Sequence, residues 1–279
     1  MLTDTELEHK SIAYRETILR IIAQAGAGHT GGDLSAIDIL NVLYNVILNV
    51  SPETAGDPDR DRYVQSKGHC VEALYTVLAD RGFFPAEELN TLCRYRSRLI
   101  GHPTREVPGI EHNTGALGHG LAVAVGMALA GKLDGRSYRV FTLLGDGELD
   151  EGSNWEASLA AAHHGLDNLV VIVDRNGLQI TGPTEQVNAL EPLPDKFRAF
   201  GYALREVDGH DLEALVQLLR QTPFEPGKPN LVLAHTIKGK GVSYAENVVG
   251  WHHHVPTAEE LALALDELRV AREQLEGPR

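Results

Sequence analysis

Side chains that could hold a metal ion follow two short apolar runs. The run YRVFTLL (138–144) leads into GDGELDEG, which contains Asp146, and the run NLVVIVD (168–174) leads into Asn176. If both runs are parallel strands, their carboxyl ends emerge at one edge of a sheet, where open α/β sheets bind ligands. The Asp146 carboxylate, the Asn176 amide oxygen and the backbone carbonyl of Leu178 then form an incomplete oxygen shell. Such a shell suits Mg²⁺ or Ca²⁺ completed by diphosphate oxygens and water.

Two other glycine-rich segments allow a ligand-binding and a structural interpretation. GAGHTG (26–31) matches G-x-G-x-x-G, but a helical pattern precedes it instead of a strand, so a helix C-cap and turn is favoured over a dinucleotide site. TGALGHG (114–120) precedes a helix of small residues, whose N–H groups could face a ligand. The simpler interpretation is a tight turn that lets the helix approach the sheet. No P-loop motif occurs, which argues against a P-loop nucleotidase.

Several histidines lie in or near these segments and could handle protons. His29, His69 and His102 follow or precede glycine, and WHHH spans residues 251–254. An imidazole can donate to a phosphate or a sugar hydroxyl and titrates near neutrality. Each histidine taken singly also fits an ordinary hydrogen-bonded role, as His163 and His164 do. WHHH could alternatively be a histidine metal tract.

The elements that must position these residues follow from hydrophobic periodicity. Short branched apolar runs, separated by helix-length segments, predict buried parallel strands at 138–144, 168–174 and 230–236. Helical patterns cover 4–25, 34–48, 71–82, 117–133, 153–164 and 257–276, the last with Thr257 and Glu260 placed as a capping box. We expect helix 117–133 to be packed on both sides, and 51–62 to be a polar loop. The fold class is therefore α/β, a doubly wound, mostly parallel sheet flanked by helices, in a single domain over 1–279.

Composition excludes several functional classes. The chain has 279 residues, 43% of them apolar, and 39 acidic against 25 basic side chains give a net charge of −14. This charge argues against binding to nucleic acid or to an anionic membrane. Cys70 and Cys93 form no C-x-x-C pair, which favours a reducing cytoplasm, and no signal peptide or membrane span is predicted.

Six ordered motifs resemble the transketolase family of thiamine-diphosphate enzymes. They are GHTGG, DRDRYVQSKGH, GHPT, NTGALGHG, GDGELDEGSNWEA with NLVVIVDRNGLQITG, and KGKG with WHHH. They span nearly the whole chain, and G-D-G followed by the D-x-N-G turn is similar to the thiamine-diphosphate fingerprint. The resemblance implies the diphosphate-binding domain of that fold, with thiamine diphosphate and Mg²⁺ (or Ca²⁺) as cofactors.

The resemblance also implies roles for individual residues. The metal ligands are Asp146, Asn176 and the carbonyl of Leu178. The residues assigned to the cofactor site are His69, Gly115, Leu117, Gly147, Glu151, Asn176 and His252.

Catalytic roles fall on histidines. His29 and His102 face the substrate beside the thiazolium, and His252, with His253 as a near rival, closes over the diphosphate and substrate. Glu151 belongs to a buried acidic network between active sites. The other acids of the GDGELDEG segment and its helix, Glu148, Asp150 and Glu156, receive no role.

The motifs do not include a pyrimidine-binding domain, and this predicts a partner chain. In the family a glutamate on a separate pyrimidine-binding domain activates the cofactor, and residues 1–279 contain no counterpart of that domain. We therefore expect the N-terminal subunit of a split transketolase, assembled as α2β2 with a C-terminal subunit. It would move a two-carbon ketol unit from a ketose (phosphate) to an aldose. The alternatives are an α subunit of a 2-oxoacid dehydrogenase or a 1-deoxyxylulose-5-phosphate synthase-like enzyme, and a noncatalytic binding module.

Overall fold

A parallel sheet between two layers of helices dominates the computed structural model, which describes residues 2–277. Its strands are β1 (Arg62–Gln65), β2 (Val140–Gly145), β3 (Leu169–Arg175), β6 (Ala203–Asp208) and β7 (Asn230–His235), in the order β1-β2-β3-β7-β6. All neighbouring strands of this sheet are parallel. A short antiparallel hairpin of β4 (Leu178–Gln179) and β5 (Gly182–Pro183) follows β3. The predicted α/β fold class is confirmed.

Helices connect the strands and cover both faces of the sheet. Those in the described part of the chain are α1 (Asp4–Ala25), α2 (Thr30–Val42), α3 (Val71–Asp80), α4 (Gly120–Leu133), α5 (Gly152–His163), α6 (Thr184–Val187), α7 (Leu193–Phe200), α8 (Leu212–Leu219) and α9 (Ala258–Glu276).

The central strands are buried on both faces because their apolar side chains alternate between two helix layers. Val170 and Ile172 of β3 pack into a core shared with α1, α2, α3, α8 and α9. Val171 and Val173 point to the opposite core, shared with α4, α5 and α7. This two-sided burial explains why β2, β3 and β7 could be predicted from continuous apolar runs.

The first and last long helices begin where their capping residues predict. Thr3 accepts a hydrogen bond from the Glu6 N–H at 3.2 Å, and the Glu6 carboxylate accepts one from the Thr3 N–H at 2.7 Å. Thr257 and Glu260 form the same reciprocal box at the start of α9. α1 ends at Gly26, whose φ of 69° is the left-handed conformation of a helix C-cap. The C-cap interpretation of GAGHTG is therefore confirmed, because a helix and not a strand precedes it.

Two strands of the five-stranded sheet and the start of one helix differ from the sequence prediction. β1 and β6 lie at the two edges of the sheet, where a strand needs no continuous apolar run, so periodicity missed both. α2 begins at Thr30, before the predicted start, and includes Gly31 and Gly32. A side chain at Gly31 would meet the Trp251 carbonyl and one at Gly32 would meet the Cys70 sulfur. Close packing therefore overrides the low helix propensity of glycine here.

In the single chain α4 is packed on one side, so packing on its other side stays a prediction about an assembly. Ala122, Gly126 and Ala130 lie one turn apart and are exposed, while Leu121, Ala124 and Ala128 are buried. Leu133 at the end of the helix is 78% exposed. α4 therefore presents an uncharged outer face of small residues. Separately, no helix in the described range is long and apolar enough to cross a membrane.

Candidate active site

A cavity of about 430 Å³ lies at the carboxyl ends of the central strands. Ten residues predicted from the sequence line it: His29, His69, His102, Gly115, Leu117, Asp146, Gly147, Asn176, Leu178 and His252. Glu151 is the predicted residue that does not, and in the single chain it is exposed at the N-terminus of α5. The place of Glu151 in a buried acidic network between active sites stays a prediction about the assembly, because only the single chain is described.

Asp146 and Asn176 meet because β2 and β3 are adjacent, in-register strands. Gly145 lies opposite Asp174 in the parallel ladder, so the two turns that follow emerge side by side. The Asp146 carboxylate accepts hydrogen bonds from the Gly147 N–H at 2.8 Å and the Gly177 N–H at 2.6 Å. The Asn176 side-chain oxygen accepts one from the Leu178 N–H at 3.1 Å. These bonds fix both strand-end turns around the same edge of the cavity.

The charges around these oxygens fit a divalent cation. Burial raises the pKa of Asp146, the neighbouring Asp174 raises it further, and hydrogen bonds and Arg175 only partly offset this. Arg175 pairs with the Asp146 carboxylate at 3.2 Å, but the surroundings as a whole still disfavour its charged form. The Lys238 ammonium donates to the Leu178 carbonyl at 3.2 Å, so this oxygen already faces a cation. A carboxylate, an amide oxygen and a carbonyl on one cavity wall suit Mg²⁺ or Ca²⁺.

A metal tract built from histidines is not supported. Within residues 2–277 no group of three or more His, Cys, Asp or Glu side chains could hold a metal ion. In the WHHH segment, His252 lines the cavity, His253 contacts the His29 ring at 4.5 Å between ring centres, and His254 pairs with Glu260 at 2.8 Å. His252 and His253 therefore both reach the site, while His254 is engaged elsewhere.

The histidines form a cluster around His29. Its ring centre lies 5.2 Å from that of His69, 5.7 Å from His252 and 6.3 Å from His102. Burial and the surrounding positive groups lower the pKa of His29 to about 4 and that of His252 to about 3. Both imidazoles are thus neutral at neutral pH. The Nδ1 atoms of both are buried without a hydrogen-bond partner, so two polar atoms are available to a ligand.

Two lysines in the cavity wall were missed by the sequence interpretation. Lys67 of SKGH is fully buried and pairs with Asp174, which also accepts hydrogen bonds from Ser35 and Thr236. Burial opposes the charge of Lys67, but Asp174 more than offsets this and raises its pKa. Lys238 of KGKG is also buried, and burial and Lys67 lower its pKa. A lysine followed by glycine, just after a strand end, was the available signal, since lysines are otherwise rarely buried.

Glu148 is another residue that the sequence interpretation missed, because it was given no role. Its side chain is 2% exposed, lines the cavity and accepts three hydrogen bonds. Gln179 on the β4–β5 hairpin also lines the cavity, close enough to Gly147 that a side chain there would overlap it. Both residues carry polar atoms in segments that looked like solvated turns.

Comparisons with known proteins agree with this geometry. The sequence matches the profile of the transketolase, thiamine diphosphate binding domain, over residues 9–275. It is 49% identical over 270 residues to one of the subunits of the apulose-4-phosphate transketolase of Phocaeicola vulgatus, covering 97% of this chain and 96% of that protein. It is 42% identical to one of the subunits of the 6-deoxy-6-sulfo-D-fructose transketolase of a Clostridium species, covering 94% of this chain and 96% of that protein.

Solved structures extend the similarity to the fold. The transketolase of Leishmania mexicana superposes with a TM-score of 0.83 at 26% identity, over 99% of this chain and 46% of that one. The Campylobacter jejuni transketolase gives a TM-score of 0.83 at 28% identity, over 99% of this chain and 48% of that one. The chain thus spans about half the length of these transketolases. From the profile match and the 49% identity to a transketolase subunit, we conclude that the chain belongs to the transketolase family and contains its thiamine diphosphate-binding domain.

Proposed function

We propose that this chain is the diphosphate-binding subunit of a two-chain transketolase. It binds thiamine diphosphate with Mg²⁺ and, with a partner chain, transfers a two-carbon ketol unit from a ketose to an aldose. The observation that carries this proposal is the meeting of an oxygen-only metal site and a histidine cluster in one cavity. Asp146, Asn176 and the Leu178 carbonyl would hold the metal, and Lys238 would offset diphosphate charge.

The chain's own residues would bind and orient the reactants. When bound, thiamine diphosphate supplies the electron sink for breaking the ketose carbon–carbon bond. Gly115 and Leu117 would flank its rings, and His69 would lie near the diphosphate. Neutral His29 and His252 can exchange hydrogen bonds with sugar hydroxyls, and a nearby anion favours their protonated forms. The pKa of His29, now about 4, would then rise toward the range useful for proton transfer.

The substrate class follows from the relatives. Apulose-4-phosphate and 6-deoxy-6-sulfo-D-fructose, named in two relatives, both carry a terminal anion. We infer that the donor is a ketose with a terminal phosphate or sulfonate. Assays with a ketose phosphate and with a sulfonated ketose distinguish the two, and decarboxylation of pyruvate would instead favour a different thiamine-diphosphate enzyme.

A partner is supported by surfaces that the single chain leaves uncovered. The outer face of α4 is apolar, Leu133 and Leu159 are 78% and 59% exposed, and the relatives are named as subunits. We propose an α2β2 assembly with a chain that carries a pyrimidine-binding domain and covers Glu151.

Two free cysteines, Cys70 and Cys93, support a cytoplasmic location.

The test is ketol transfer by the chain alone and after co-expression with its partner. Turnover is expected only with both chains, together with a light-scattering mass of two copies of each. Robust transfer by this chain alone, or a monomeric 1:1 complex, would contradict the two-chain proposal. Binding of thiamine diphosphate without turnover on any ketose would favour a noncatalytic module.

A further inference from the structure

A single buried carboxylate joins the loops that line the cavity. One oxygen of Glu148 accepts hydrogen bonds from the Ser66 hydroxyl at 2.5 Å and the Gly118 N–H at 2.9 Å. The other oxygen accepts one from the Gly145 N–H at 3.1 Å. The side chain is 2% exposed, so water does not compete for these bonds. Glu148 therefore connects three backbone segments that are far apart in sequence.

Each connected segment carries part of the predicted cofactor site. Residues 66–69, the histidine loop, carry His69. Residues 114–119, the ring loop, carry Gly115 and Leu117. Residues 145–150, the diphosphate loop, carry Asp146 and Gly147.

The helix that follows holds Glu148 and the ring loop from the other side. The Asn154 side chain donates to the Glu148 carbonyl at 2.7 Å, and the Ser153 hydroxyl donates to the Gly118 carbonyl at 2.8 Å. Gly118 has a φ of 87° and has no room for a side chain against Glu151 and Ser153. Gly118 is thus fixed at both its N–H and its carbonyl, and Glu148 supplies one of the two restraints.

The donors around Glu148 show that both of its side-chain oxygens are needed as hydrogen-bond acceptors. Backbone N–H groups face both oxygens of the Glu148 side chain, so both of these atoms must act as acceptors. A glutamine would turn its amide N–H group toward a backbone N–H and lose at least one connection.

We propose that Glu148 is a positioning residue that sets the spacing between the ring loop and the diphosphate loop. This inference rests on the proposed function. A ligand that contacts both loops, such as thiamine diphosphate, needs the correct spacing. A short ligand held by the diphosphate loop alone, such as inorganic diphosphate, does not. Loss of Glu148 should therefore weaken the first ligand selectively.

The test is calorimetric titration of the full chain with thiamine diphosphate and with inorganic diphosphate, each with Mg²⁺. In Glu148→Gln we expect the Kd for thiamine diphosphate to rise about 10-fold, as loss of one buried charge-assisted bond implies. The Kd for inorganic diphosphate should change less than about 2-fold. Glu148→Asp keeps the charge but lacks the reach, and it should behave like Glu148→Gln. Ser153→Ala removes the other restraint on Gly118 and should give a selective loss of about 3-fold, which keeps the spacing of the ring loop testable if the Glu148 variants do not fold.

The matched control is Glu87→Gln, the same change at an exposed site, which should bind both ligands normally. Equal weakening of both ligands would show general loosening and overturn the inference, as would normal binding by Glu148→Gln or by Glu148→Asp. Equal affinity of the wild-type chain for the two ligands would overturn it too, because the ring loop would then contribute nothing. A wild-type chain that binds neither ligand would instead remove the proposed function itself.

Discussion

Replacing Asp146 by asparagine should weaken cofactor binding at least about 100-fold, with a much smaller effect on the stability of the free chain. Burial and Asp174 raise the pKa of Asp146, so the folded state disfavours its charged form. For a raised carboxyl pKa, the stabilising contribution is present at low pH and is lost as pH rises through the folded pKa. At neutral pH the charge is therefore a cost that asparagine removes. The variant also loses a hydrogen bond to Gly147 or Gly177 and the ion pair with Arg175, which Glu185 and Glu191 still hold, so we expect the free energy of unfolding to stay within about 2 kcal/mol of wild type.

The ligand effect should be much larger. At 100 times its Kd a ligand stabilises a folded protein by about 2.7 kcal/mol, which raises Tm by about 5 °C or more in a chain of this size. Removing groups that only orient a metal ligand weakens binding about 10- to 100-fold, so losing the Asp146 carboxylate should cost at least about 100-fold. At the same ligand concentration the variant then gains only about 0.4 kcal/mol, a shift of about 1 °C.

Thermal unfolding of the wild-type and Asp146→Asn chains in Mg²⁺, with and without thiamine diphosphate, measures both effects. Asp150→Asn is the matched control, because Asp150 lies in the same turn but only bonds the exposed Asn188 side chain. It should keep the wild-type shift. A full ligand shift in Asp146→Asn, or loss of the shift in Asp150→Asn, would refute the assignment of the metal to Asp146.

Three further predictions concern the surroundings of the cavity. Lys67→Met should destabilise the chain by about 3–5 kcal/mol in urea unfolding, because it leaves the buried Asp174 carboxylate without its cation. Adding Asp174→Leu should restore most of the lost stability, and a loss below about 1 kcal/mol in Lys67→Met would contradict the prediction. Burial raises the pKa of Asp33 from its usual value near 4 to about 7, beside the buried Glu72 carboxyl, so the free energy of unfolding should fall as pH rises from about 4 to 7. Glu72→Gln should flatten this dependence, and an unchanged slope would count against the pair. His29 should show a neutral imidazole at neutral pH by ¹⁵N NMR and a raised pKa after cofactor binding, whereas a pKa near 6.5 in the free chain would contradict its buried environment.

The strand-end site could be predicted because it depends on a rule of parallel sheets. Two buried apolar runs predicted β2 and β3, and adjacent parallel strands bring the following turns together. The juxtaposition of Asp146 and Asn176 therefore followed from pattern alone. The histidine cluster, by contrast, depended on the family resemblance, because no local pattern brings His29 and His252 together from opposite ends of the chain.

The residues that sequence reasoning missed share a physical cause. Glu148, Lys67 and Lys238 have charged side chains, which in most proteins remain solvated, and only the tertiary structure shows that they are buried and paired. The exposed face of α4 was missed because its residues are apolar and were expected to be buried. Small apolar residues indicate packing, but sequence alone does not say whether the packing lies within the chain or against another chain.

Equilibrium titration of the wild-type chain with thiamine diphosphate, in Mg²⁺ and again in excess EDTA, tests the central proposal most directly. The oxygen set of Asp146, Asn176 and Leu178 predicts saturable binding in Mg²⁺ that weakens at least about 100-fold when the metal is removed. Failure to bind in Mg²⁺, or equal affinity in EDTA, would contradict a metal-bridged diphosphate site at the ends of β2 and β3.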